Sequence, residues 1–220
     1  MHRRLTLLAA LALTATATLT LSACGSDDDS TAAKDSDEVA GTGEAAEKSA
    51  SPSPSPSEAD GRPKITFPSG AKNVFEYEKT GNAAKDAALA DSTLSVNSVD
   101  EAIFEGSTDT KALGFYNTES ALSASITYAL RYINNKDTWV GETRYFRYKV
   151  RLSGDDEAYV TYCSDESKAF IKDKVTGKVE NTPATANSYV LYNTKLAKNA
   201  DGVWQTTDIS SNRGNKACQP

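Results

Sequence analysis

Three cysteines, a lone histidine and a scatter of tyrosines carry what chemistry this 220-residue chain offers. The histidine is His2, so a chain cut after its N-terminal leader would hold no imidazole. Ser-His-Asp and Cys-His nucleophile systems then lack their base, and the commonest zinc sets lose their nitrogen ligand. What remains for acid–base work is a carboxylate as base and Tyr as hydrogen-bond donor in a dry pocket. Asp165 beside Tyr162 is one such pair, although Ser164 and Ser167 around it equally describe a turn. Asp155-Asp156-Glu157 lacks the spaced ligands of a calcium loop and reads as a hairpin tip. There is no glycine loop to cradle phosphate and no cluster of metal ligands, so neither cofactor nor metal is expected.

Cys24 closes an N-terminal stretch with its own plan. Met1-His2-Arg3-Arg4 is a short basic start, and Leu5 to Leu21 is an apolar run of Leu, Ala and Thr. A secretory signal peptide is built this way. A membrane-spanning anchor competes with that reading, but the run is short for it and its strongly apolar side chains are few. Leu21-Ser22-Ala23-Cys24 resembles the lipobox of bacterial lipoproteins. The resemblance implies that the Cys24 thiol receives a diacylglycerol and that a signal peptidase, recognising Leu21, Ser22 and Ala23, cuts before it. Two acyl chains hold a protein to a membrane stably where one would not. The expected location is therefore the outer face of the cytoplasmic membrane, lipid-anchored in the cell envelope.

Composition divides the chain into a leader (1–23), a tether (24–62) and one domain (63–220). Residues 25–60 hold ten acids against Lys34 and Lys48, with Val39 as nearly the only large apolar residue. Such a segment buries too little surface to offset its ordering entropy and is expected to be disordered. Ser51 to Ser57 alternates Ser and Pro, which favours an extended polyproline II spacer; a glycosylated stalk is the other reading. The acidic excess belongs to the tether, and the remaining chain balances acids against bases. A neutral domain gives no electrostatic reason to expect nucleic acid.

Within the domain, Ile65, Phe67, Val74 and Phe75 form a sparse apolar pattern that suggests an irregular or short-strand start. Leu89, Val96, Val99 and Ile103 lie on one helical face, with β-branched residues from Thr93 to Val99 that could break it. Ser107 or Asp109 could cap a short second helix through Tyr116. Leu122, Ile126, Ala129, Leu130 and Ile133 predict the clearest helix, over Glu119 to Asn134. After Trp139 the period becomes two. Phe146, Tyr148, Val150 and Leu152 face inward and Tyr145, Arg147, Lys149 and Arg151 outward, ahead of a turn at Ser153-Gly154-Asp155-Asp156. Ala158, Val160 and Tyr162 return. Phe170-Ile171, Tyr189 to Leu196 and Val203 to Ile209 read as further strands. Helices first and antiparallel strands after make an α+β plan.

Cys163 and Cys218 remain. Outside the cytoplasm two such cysteines usually pair, a free reactive thiol pair being the competing reading. Cys163-Ser164-Asp165-Glu166-Ser167, Val175-Thr176-Gly177-Lys178, Gly202-Val203-Trp204 and the C-terminal Cys218 resemble a group of small actinobacterial secreted lipoproteins with a nuclear transport factor two-like fold. That resemblance implies N-terminal helices on a curved, cone-shaped antiparallel sheet of about four strands, lipidation and a Cys163–Cys218 bridge. It implies no activity.

The function expected is a non-catalytic ligand-binding or protein-interaction module of the envelope. A cone fold can enclose a pocket for a small apolar ligand, here lined by Tyr128, Tyr132, Phe146, Tyr148 and Tyr162; the same rings could simply fill the core. A cofactor-free isomerase or dehydratase using carboxylate and Tyr is the alternative, and no catalytic residue is assigned. The row Tyr145, Arg147, Lys149 and Arg151 could dock an envelope protein, or be a solvated strand face.

Overall fold

A computed structural model describes residues 61–220. The leader, the Leu21-Ser22-Ala23-Cys24 motif and the tether through residue 60 lie outside the described residues.

Strand β1 (Ala71–Phe75) precedes three helices, α1 (Ala83–Glu105), α2 (Lys111–Tyr116) and α3 (Glu119–Asn135). Five strands follow: β2 (Asp137–Ser153), β3 (Glu157–Asp173), β4 (Val179–Glu180), β5 (Tyr189–Lys198) and β6 (Trp204–Arg213). The α+β plan holds, but the sheet has six strands rather than about four, ordered β1-β2-β3-β5-β6 with β4 beside β3. Nor is it wholly antiparallel, because β1 pairs with β2 in parallel. A parallel pair needs a long crossover, and the three helices between β1 and β2 supply it. Three residues past Pro68 the sparse pattern becomes an edge strand of five residues, too short to announce itself by alternation.

Helix α1 runs unbroken through Thr93 to Val99. Asn82 accepts from the Lys85 amide at 3.0 Å to start it, and Gly106 ends it in the left-handed region. Its β-branched and hydroxyl residues are tolerated because they are buried and bonded: Thr93 donates to the Ala90 carbonyl and Ser98 to that of Ser95. Ser95 and Ser98 then meet Asn117 and Thr206, a buried polar network joining α1, the end of α2 and β6. Thr110, rather than Ser107 or Asp109, caps α2. The predicted apolar face of α3 turns inward at Leu122, Ile126, Ala129 and Ile133, while Leu130 lies at the solvent edge.

The β2–β3 hairpin is the spine, seventeen residues on each side, and absorbs Phe170-Ile171 into β3. Asn199 organises the β5–β6 turn by accepting from the Asp201 and Val203 amides. Arg62 is tied to the domain: its guanidinium pairs with buried Asp91, whose carboxylate also accepts the Trp204 amide at 2.8 Å.

Helix α3 stops at Lys136, which adopts φ 58° with its side chain exposed. A left-handed L-residue costs about 1–2 kcal/mol, part of which glycine returns as lost chain entropy. Lys136→Gly should therefore raise stability by roughly 0.5–1 kcal/mol, read as a higher urea midpoint. A lower midpoint would mean that the Lys136 side chain contributes more than its backbone costs.

Candidate functional site

The two faces of β2 are sorted by a bulge. Phe146 pairs with Cys163 and Lys149 with Thr161, so Arg147 and Tyr148 together stand opposite Tyr162. Arg147 takes φ 56° to make this fit. The extra residue shifts the alternation by one. Tyr145 and Tyr148 consequently both face the helices, and Phe146 faces away. Two expectations are corrected here. Phe146 does not line the tyrosine face but packs with Cys163, Cys218, Tyr189 and Leu191 on the other side of the sheet. Tyr145, read as outward, is buried. Arg147, Lys149 and Arg151 are exposed as expected.

A second irregularity lies between Glu142 and Arg144, where Glu166 and Ser167 stand opposite Thr143. Gly141, at φ 101°, sits beside it. A Cβ there would lie 2.1 Å from the Lys168 carbonyl oxygen, so only glycine fits.

On the helix-facing side the tyrosines form one wall. Tyr162 and Tyr192 are direct neighbours across β3 and β5, their rings stacked at 5.1 Å. Tyr148 stacks on the other face of Tyr162 at 5.0 Å, and Tyr145 meets Tyr162 edge-on at 6.0 Å. From α3, Tyr128 and Tyr132 place their hydroxyls 3.3 Å apart. Of the five residues expected to line a pocket, the structure therefore puts Tyr148 and Tyr162 in the sheet wall and Tyr128 and Tyr132 together on α3.

Asp100 is the residue that sequence reasoning missed. It projects from α1 and is buried, with Oδ1 accepting from the Trp139 indole at 3.1 Å and Oδ2 from the Asn73 amide at 2.7 Å. Burial pushes its carboxyl up to about 7, with the charge of Glu166 adding to the rise and the bonds from Asn73 and Trp139 opposing it. A signal was present: Asp100 falls four residues after Val96 and three before Ile103, within the apolar stripe of the helix.

The carboxylate and the phenols share one electrostatic neighbourhood. The charge of Asp100 reaches Tyr132, Tyr145, Tyr162 and Tyr192. Burial holds all four phenols, and Tyr128 and Tyr148, above their ordinary value, so each keeps its proton as a donor. Among the described residues, no hydrogen bond reaches the hydroxyls of Tyr145 or Tyr162, and that of Tyr148 is buried without a partner. At one side Glu166 is held by Arg213 at 2.6 Å, and the same guanidinium binds the Asn187 carbonyl. The arrangement is a wall of stacked rings packed against α1 and Trp204, with neutral phenol hydroxyls and one carboxyl pushed up to about 7.

Asp165 belongs elsewhere. It accepts from the Ser167 amide at 3.0 Å and pairs with Arg144. Burial alone would raise it, but the Ser167 bonds and Arg144 outweigh that and hold it below the ordinary carboxylate range. It lies within β3, opposite Arg144 and on the far face from Tyr162. Cys163 and Cys218 are joined, with Cα atoms 5.5 Å apart. Among the described residues no three His, Cys, Asp or Glu side chains gather as metal ligands, and no helix is long and apolar enough to cross a membrane.

No family model matches the chain, and no curated protein does. Among solved structures it is similar to a ketosteroid isomerase-like protein from Erwinia carotovora atroseptica, at 17% identity over 60% of this chain and 97% of that one, with a TM-score of 0.43. A candidate ketosteroid isomerase from Shewanella frigidimarina follows at 14% identity over 59% and 98%, with a TM-score of 0.34. The intermembrane space region of the chloroplast protein ARC6 is similar at 14% identity over 46% and 75%, with a TM-score of 0.32. All three scores lie below 0.5, and the likenesses carry no argument about activity.

Proposed function

We propose that this is an envelope lipoprotein, anchored through diacylated Cys24, whose domain binds a small, largely apolar molecule between its helices and the tyrosine face of its sheet. The observation that carries the binding site is the Tyr148 hydroxyl, buried without a partner where its ring stacks on Tyr162. Tyrosines that merely filled a core would normally have their hydroxyls bonded, because an unmade buried hydrogen bond costs about 1–3 kcal/mol. Supporting the anchor are the basic start, the apolar run and the Leu21-Ser22-Ala23-Cys24 motif, together with the resemblance to small actinobacterial lipoproteins of the cone-shaped fold.

A neutral planar ketone tests the site, because its carbonyl can accept from the Tyr148 phenol. The polarity-sensitive naphthyl ketone prodan should show a saturable blue shift with the protein. Tyr148→Phe should weaken it about tenfold, the equivalent of a hydrogen bond worth about 1–1.5 kcal/mol. No saturable shift, or equal affinity in the variant, would defeat the proposal.

The raised carboxyl of Asp100 favours a second reading, in which it removes a proton next to a carbonyl held by the phenols. Exchange of the α-protons of 2-tetralone in D2O should then be faster with the wild type than with Asp100→Asn. Exchange no faster than in buffer would remove this reading and leave the binding site standing.

A further inference from the structure

The row of rings Tyr192, Tyr162 and Tyr148 continues past the sheet into Tyr77, which no strand or helix holds. The first three lie nearly parallel, neighbours inclined by 18° at 5.1 and 5.0 Å. Tyr77 meets Tyr148 at 5.4 Å with the rings tilted by 55°. Strand β2 lies between β1 and β3, and Tyr77 comes two residues after β1 ends. It therefore reaches Tyr148 from the side opposite Tyr162.

The chain around Tyr77 is fixed at two posts. At one, the Glu76 amide donates to the Tyr145 carbonyl at 2.8 Å, and the Glu76 carboxylate accepts from Arg144 at 3.0 Å. At the other, the Thr80 amide and hydroxyl each donate to Asp86 Oδ1 at 2.7 Å, in the first turn of α1. Between the posts the backbone of Tyr77, Glu78 and Lys79 makes no hydrogen bond among the described residues. Glu78 and Lys79 are exposed and Tyr77 is half-buried. The arch is thus held down by one side chain, through its ring on Tyr148 and its hydroxyl beside Thr93 of α1.

We infer that Tyr77 is a displaceable lid, whose ring stands where a planar ligand binds. The arch lifts about its posts, and a flat ring stacks on the uncovered side of Tyr148. An acceptor on that ring then takes the Tyr148 hydroxyl, which is buried without a partner. The inference rests on the binding site proposed above and adds to it the way in and the ligand's shape: planar, conjugated and carrying an acceptor such as a carbonyl. Because the closed arch competes with the ligand, the apparent affinity is reduced by the fraction of chains in which the arch is open. Removing the Tyr77 ring should therefore tighten binding, whereas losing a ring that only supports or touches the ligand would weaken it.

Prodan binding to the full chain reads this directly. Tyr77→Ala should bind prodan roughly threefold to tenfold more tightly than the wild type, the worth of one aromatic pair. In the wild type saturated with prodan, nuclear magnetic resonance should show the Tyr77 ring protons moving to the positions of a solvated tyrosine, while those of Tyr192 stay. A Tyr77→Ala variant that binds no more tightly, or a Tyr77 ring that keeps its place against Tyr148 at saturation, would overturn the lid and leave the binding site standing. Prodan bound by neither protein would overturn both. The resonance measurement needs the wild type alone, so the test stands even if the variant folds poorly.

Discussion

Between about pH 5 and pH 8 the protein should lose stability, and Asp100→Asn should remove most of the slope. The chain's sole histidine is His2, so no imidazole of the described domain titrates in this window. Asp100 does, since burial lifts its carboxyl from 3.8 to about 7. The folded chain thus holds this proton more tightly than the unfolded chain. Stability is complete below the unfolded value, falls as pH climbs toward the folded one, and is level above it. At about 1.36 kcal/mol per pH unit, the gap amounts to about 4 kcal/mol. Buried Glu101, raised chiefly by its burial, acts in the same direction. Glu142 and Asp165 are held low, so they lose their contribution only as pH falls below the ordinary carboxylate range, outside this window. Urea midpoints at half-unit intervals of pH measure the slope. A wild type that is flat from pH 5 to 8, or a variant that keeps the decline, would contradict the placement of Asp100.

Breaking the Cys163–Cys218 link should have an effect of similar size. The bridge joins the middle of β3 to the last residues of the chain, across 55 positions. A loop of that length restricts the unfolded chain by about 4 kcal/mol in the chain-entropy account. Both cysteines are buried against Phe146, on the face opposite the tyrosines, and Arg147 reaches the Ala217 carbonyl beside them. Cys163→Ser/Cys218→Ser should lower the melting temperature by about 8–16 °C for a domain of this size. Because the bridge lies on the far face, prodan affinity at low temperature should hardly change. A melting temperature within a degree or two of the wild type would show that the unfolded chain gains little freedom. Lost affinity with intact folding would show that the two faces are coupled.

The elements that depend on simple periodicity were legible in the residues. The apolar repeat of α3, the alternation leading into the β2–β3 hairpin and the pairing of the two late cysteines all correspond to what the chain adopts. The bulge was not. Arg147 takes a left-handed backbone that no arginine advertises, and the single extra residue moved Phe146 out of the expected lining and Tyr145 into it. The parallel strand β1 escaped because five edge residues carry too little pattern to fix a partner 70 positions away. Asp100 was hidden by its chemistry: a carboxylate on an apolar stripe is read as a break in the pattern, when it is the buried acceptor that Asn73 and Trp139 share.

Native mass spectrometry of the protein released from the membranes of its own host tests the binding site most directly. The wild type should carry one small molecule that dissociates without unfolding, and Tyr148→Phe should arrive without it. Wild type and variant both bare, or both carrying the same molecule, would contradict a site built on that hydroxyl.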